Sequence, residues 1–240
     1  MNPFISLFRK EFYALITGGI GFFVLFIYIV ISYGLTFYAG NFFSINNKGL
    51  YSFFIFQPEV LSLLLPALSM HLWTDESKRG TQDFLLSLPV KYSTLVLAKY
   101  SAVYVYGAIM LLSTLPLPLV ESYWIRTDNT VLILSYVSVL LVMGIFIAIG
   151  SVVSALSSNF ILTYIGSFFL IRLLMGLNPT LLVNKIVEKF QGQISMILDF
   201  KTIYNSLIMG QAGLNSILYY VSGIVLLLWL NIVIIAHKKD

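Results

Sequence analysis

The chain has 240 residues, 59% of them hydrophobic, and a mean hydropathy of +0.92, far above the apolar share of roughly 45–50% usual in soluble domains. That composition excludes a soluble globular protein and predicts an all-α membrane protein, a single membrane domain over residues 1–240 with room for about six spans of about 20 residues. Without cysteine there is neither a disulfide framework nor a thiolate metal site, and the net charge of +4 fits cytoplasmic anchoring charges better than nucleic-acid binding.

Near the start, Phe4, Leu7, Phe8, Phe12 and Leu15 recur at helical spacing, with Arg9, Lys10 and Glu11 on the other side. The pattern suits a helix lying in the membrane interface and leading into the first span; a frayed start of that span is the competing reading. No small-residue cleavage site follows, so the span is expected to be retained rather than cut as a signal peptide. No charge occurs from Phe12 to Asn47, which gives one tilted span ending near Tyr38 and an aromatic outer edge at Phe42 and Phe43. Gly18, Gly19 and Gly21 either admit a close helix neighbour or bend the chain. An outer connection from Lys48 to Glu59 precedes a second span over Val60–Trp73, where Pro66 is expected to cause a kink. His71, near its inner end, reads as an interfacial hydrogen-bonding residue rather than a metal ligand.

The third span is expected over Leu95–Leu119, closed by Pro116 and Pro118 and followed by a short polar loop with Glu121, Tyr123, Trp124, Arg126 and Asp128. The fourth, Val131–Leu156, carries Gly144, Ala148, Ser151 and Ala155 at steps of three or four, a narrow packing face of small residues. Ser157, Ser158 and Asn159 then make a tight inner turn. The fifth, Phe160–Leu177, holds Arg172. Its head either snorkels toward the outer headgroups or serves a substrate or another helix as an intramembrane polar site. Within the outer region 178–215, Leu182, Ile186, Phe190, Ile194 and Leu198 recur every four residues opposite Lys185, Glu188, Lys189 and Gln193. That is the pattern of an amphipathic helix on the outer face. Gly210 and Gly213 break the chain before the sixth span, Ser216–Ala236.

Arg9, Lys10, Lys78, Arg79, Lys91, Lys99, Lys238 and Lys239 fall on one side of these spans; Lys48, Arg126, Lys185, Lys189 and Lys201 fall on the other. The first side is expected to be cytoplasmic, with both termini inside. The insert at about 74–92 then faces the cytoplasm as well. In a chain with only 10% charged residues, Asp75, Glu76, Lys78, Arg79 and Asp83 form the densest ionic cluster, which must face water or a partner. Gly80 permits a sharp turn, Thr81 can cap the next helix with its side chain, and Asp83 suits that helix's positive end. Phe84, Leu85, Leu86 and Leu88 supply an apolar face, and Pro89 stops the helix. A short helix parallel to the membrane and an ordinary amphipathic cytoplasmic loop both satisfy this pattern.

No Gly-rich phosphate-binding loop occurs, nor zinc-protease spacing, nor a nucleophile elbow, so no catalytic, cofactor-binding or metal-binding residues are expected in the chain itself. Glu59, Glu121, Asp128, Glu188 and Asp199 lie in loops or at span ends, which disfavours an ion-coupled carrier.

Glu76, three residues, Gly80 and Thr81, three residues, Leu85 and Leu86, two residues and Pro89, then a basic residue near the next span, resemble the signature of ABC-2 type permeases. The resemblance extends over most of the chain and is nearest to the gliding-motility F-component permeases. Ile203, Tyr204, Asn205, Ser206, Leu207 and Gly210, then Tyr219, Tyr220 and Ser222, are similar to that group's segment before the last span. Met209 and Gly213 depart from it. The resemblance implies a bacterial cytoplasmic-membrane exporter subunit that pairs with a second permease copy or a related permease. Two cytoplasmic ATPase subunits would bind ATP and Mg, and an auxiliary membrane subunit with an outer domain is a further partner. The insert would be the coupling helix docked on the ATPase, with Asp75, Glu76, Lys78 and Arg79 steering or pairing there. The competing reading is a non-transporting membrane scaffold.

Overall fold

In hydrocarbon every backbone N–H and C=O needs an internal partner, so apolar runs of this length are driven into helices. The computed structural model describes residues 3–38, 49–87, 89–125, 129–176, 200–211 and 213–238, and among them it is helical, without strands. The N-terminal half comprises α1 (Pro3–Thr17), α2 (Gly19–Tyr38), α3 (Gly49–Ile55), α4 (Gln57–Ser69), α5 (His71–Arg79) and α6 (Gln82–Ser87). The rest comprises α7 (Tyr92–Ser113), α8 (Pro116–Ile125), α9 (Asn129–Leu156), α10 (Phe160–Gly176), α11 (Phe200–Ile208) and α12 (Leu214–His237).

Four of these helices, α2, α7, α9 and α12, are long and apolar enough to cross a membrane. The expected second and fifth spans are shorter: α4 has 13 residues and α10 has 17. Helix α9 is the central column. Every residue from Val142 to Val152 is buried, and α4, α5, α7, α10, α11 and α12 all pack on it. A helix apolar all round belongs inside a bundle. Gly144, Ala148, Ser151 and Ala155 are buried there, and so are the residues between them except the half-buried Val153. Gly144 lies beneath Ile224, and the Tyr100 hydroxyl donates to its carbonyl at 3.2 Å. Ser151 accepts from Asn231 Nδ2 at 2.5 Å. The tightest approach is at Gly150, where a Cβ would overlap the Ser69 hydroxyl and lie 2.6 Å from its Cβ. The periphery is apolar and exposed, with Phe22, Phe23 and Phe26 on α2 and Val225, Leu226 and Trp229 on α12.

Several boundaries depart from the sequence expectation. Helix α4 runs through Pro66 without interruption, and a one-residue turn at Met70 separates it from α5. The expected third span stops early. Thr114 and Leu115 form a turn, and Pro116 then opens α8 instead of closing α7, because proline lacks only an N–H that a first helical turn leaves unpaired anyway. The expected polar loop from Glu121 is correspondingly helical through Ile125. The tight turn at 157–159 is present, with the Ile161 N–H donating to Asn159 Oδ1 at 3.0 Å. Phe42, Phe43, Lys48, Leu88, Arg126, Asp128, Lys239 and the amphipathic pattern over 182–198 lie outside the described residues.

Gly150→Ala should lower stability by about 1–3 kcal/mol, since α4 and α9 must part to admit the methyl group. Gly34→Ala, with nothing near its added Cβ, should be neutral or slightly stabilising. Thermal unfolding of both variants in the same detergent tests the contrast.

Candidate functional site

The charged insert is more ordered than a loop. Helix α5 leaves the apolar run with Leu72, Trp73 and Thr74 buried, and ends with Lys78 and Arg79 in its last turn, where cations favour the negative end of the helix dipole. Gly80 then takes φ +67°, in the left-handed region. The Thr81 N–H donates to the Glu76 carbonyl at 3.0 Å and the Gly80 N–H to the Ser77 carbonyl at 3.3 Å, the paired bonds of a glycine-terminated helix. A side chain at position 80 would strain this turn.

Helix α6 starts at once, with the Thr81 carbonyl accepting from the Leu85 N–H at 3.1 Å and Asp83 in the first turn. The expected side-chain cap is corrected here: the Thr81 hydroxyl points back toward the Glu76 carbonyl, 3.5 Å away, because the Gly80 turn directs it there. The expected single apolar face is also divided. Gln82, Leu85 and Leu86 are buried, whereas Asp83 and Ser87 face outward beside Phe84, which is 70% exposed. At about 100° per residue Phe84 lies about 150° from the midline between Leu85 and Leu86, so it faces away from them. Pro89 lies exposed in the bend before α7.

Lys99 of α7 holds this element in place. It is 1% exposed, and its ammonium donates to the Leu72 carbonyl at 2.6 Å, to Glu76 Oε1 at 2.6 Å and to Glu11 Oε1 at 3.1 Å. The Trp73 ring lies alongside, its centroid 5.1 Å from Nζ. Lys10 approaches the same carboxylates, 3.6 Å from Glu11 and 3.9 Å from Glu76. One buried cation thus joins α1, α5 and α7. Burial pushes the Glu76 carboxyl above its usual range, with the Lys99 charge pulling the other way.

Within the chain the Glu76 carboxylate is therefore engaged by Lys99. Asp75 faces His71, with Oδ2 3.3 Å from Nδ1. Lys78 sits 4.8 Å from the centroid of Phe160, whose ring also contacts His71 at 4.9 Å between centroids. Lys78, Arg79, Asp83 and Phe84 remain exposed. Arg172 lies at the opposite end of the bundle. It pairs with Glu59 at the start of α4, and Lys201 approaches the same carboxylate at 3.4 Å. The guanidinium thus pairs across helices while staying exposed.

Sequence reasoning assigned Lys99 only to the inner side and Glu11 only to the polar face of α1. A signal was present. A lysine inside an apolar helix needs a carboxylate, and Glu11 and Glu76 fall on the same side of the spans. Among the described residues no group of three or more His, Cys, Asp or Glu side chains could hold a metal.

Lys99→Met should cost about 3–5 kcal/mol, because two partly buried carboxylates lose their counter-charge. Lys99→Met with Glu76→Gln should cost less than the sum of the single changes, read by thermal unfolding. The pH dependence has a definite sign. Glu76 holds its proton more tightly folded than at its ordinary value of 4.5, so its contribution to stability is fullest below that pH and declines as pH rises through the folded value. Glu76→Gln should flatten that decline in an unfolding series run upward from pH 4.5. The chain matches no family model, and no curated protein matches it.

Proposed function

We propose that the chain is the membrane-spanning subunit of an ATP-driven exporter of the ABC-2 permease type, moved by separate ATPase subunits that bind ATP and Mg. The observation that carries this reading is the fastening of an exposed, turn-locked helix pair to the bundle through buried Lys99. A push on α6 reaches α5 through the Gly80 turn, and from Glu76 it passes to α7 and α1 instead of being absorbed in a slack loop. The residues that resemble the permease signature form that same helix pair.

In this reading the chain crosses the bacterial cytoplasmic membrane six times, through α2, α4 with the start of α5, α7, α9, α10 and α12. Helix α1 lies in the inner interface, both termini are cytoplasmic, and α5–α6 is the coupling element. Lys78 and Arg79 steer an acidic rim of the ATPase, and Phe84 fills an apolar pocket inside it, the usual arrangement of a buried aromatic anchor within a polar surround. The engaged carboxylates Glu76 and Glu11 transmit, and the exposed groups dock. A second permease copy completes the pathway, and the resemblance favours a gliding-motility-type system.

Co-expression with candidate ATPases followed by purification should recover an ATPase with a phosphate-binding loop, stimulated by this chain. Phe84→Ala or Arg79→Glu should reduce that stimulation about thirtyfold, the scale of losing an anchor worth about 2 kcal/mol, without changing thermal stability. Failure to recruit any ATPase, or labelling of Lys78 and Arg79 only from outside intact cells, would overturn the reading in favour of a scaffold.

A further inference from the structure

The break between α4 and α5 has no local cause. Residues 67–74 read ALSMHLWT, without glycine or proline, and Met70 itself has helical dihedrals, φ −61° and ψ −26°. A backbone already in helical geometry should close its own ladder of hydrogen bonds.

Ser154 of α9 explains the gap. Its hydroxyl accepts from the Trp73 N–H at 2.9 Å and the Thr74 N–H at 3.1 Å, and donates to the Met70 carbonyl at 3.0 Å. The Thr74 hydroxyl also lies 3.1 Å from the same Ser154 oxygen, so every hydrogen-bonding position of that hydroxyl is occupied. A side chain inserted into the ladder is one of the recognised causes of a helix interruption. The neighbouring Thr74 hydroxyl ties the same point to α10, lying 3.1 Å from Thr163 Oγ1 and 3.2 Å from the Ser157 carbonyl. One turn earlier on α9, Gly150 seats directly against Ser69, the last residue of α4. Helix α9 therefore lies across the break, with its backbone on the α4 side and its hydroxyl on the α5 side.

We propose that this junction is a two-state joint. With Ser154 engaged its hydroxyl holds the Trp73 and Thr74 N–H groups, while the Met70 N–H keeps its bond to the Pro66 carbonyl at 2.9 Å; with Ser154 withdrawn α4 and α5 close into one helix, so the position of α9 sets the state. Because Met70 already has helical dihedrals, the exchange needs a small displacement of α9 and no refolding. The joint separates the apolar helix α4 from the exposed pair α5–α6, and so links the central column to the element read above as the docking surface. It extends that reading, but its test needs no ATPase, so the failure of either is recognisable without the other.

The chain has no cysteine, so cysteines introduced at Leu63 and Arg79, both exposed, can carry spin labels with no background. The full chain is reconstituted in lipid nanodiscs and the distance between the labels is measured. In Ser154→Ala the distribution should narrow to a single population at the length of an unbroken helix, about 24 Å between the Cα atoms. Ser154→Thr, which keeps the hydroxyl, should reproduce the parent distribution. If Ser154→Ala does not fold, the equal-volume pair Ser154→Thr and Ser154→Val carries the same contrast, with narrowing only in the valine variant. An unchanged distribution on loss of the hydroxyl overturns the joint. A broader one overturns it too, since Ser154 would then be a staple between helices.

Discussion

A lysine ammonium buried in an apolar helix bundle is tolerable only with its charge answered and its protons taken up. Lys99 meets both conditions by drawing Glu76 from α5, Glu11 from α1 and the Leu72 carbonyl onto one point, against the face of Trp73. This single constraint fixes how α5 leaves the bundle. It determines which charges of the insert are engaged internally and which remain outside. A buried ion pair of this kind contributes little net stability over an apolar packing, yet removing either partner is costly, so its consequence is geometric: α1, α5 and α7 keep one relative arrangement.

Around that point the bundle is organised by α9, which is buried along its middle and touches most of the other long helices. Apolar side chains alone would let such a column slide or rotate, since lipid and core are equally greasy and supply no preference for one register. The register is set by polar contacts at intervals along the helix: the Gly144 carbonyl with Tyr100, Ser151 with Asn231, and Ser154 with the start of α5. Each buried hydroxyl or amide would lose its partner if α9 moved by a turn, so these contacts select one packing from many of similar apolar area.

The two ends of the bundle differ in kind. At one end Arg172 and Lys201 share Glu59 in partly exposed contacts, which solvent and headgroups screen and which contribute little to stability. At the other end the ion cluster around Lys99 is buried, and beside it stands a helix pair whose outer face combines Lys78, Arg79 and Asp83 with the projecting ring of Phe84.

The sequence by itself determined the all-helical character, the places where long apolar helices fall, the turn at Gly80 and the exposed position of Arg79 and Asp83. These follow from hydropathy, helical spacing and the conformational freedom of glycine, all of which act within a few residues. It marked Gly144, Ala148, Ser151 and Ala155 as a packing face of α9 but not what surrounds them, and no local pattern marked the turn at Met70. Only the tertiary structure decided that Glu76 turns inward, that Lys99 is its partner, that Arg172 meets Glu59, and that Ser154 meets the Trp73 and Thr74 N–H groups of α5. The Lys99 partners lie 23 and 88 positions away along the chain, and Ser154 lies 81 positions from Trp73. Contacts at such separations depend on which helix faces pack together, and no local pattern of residues specifies that.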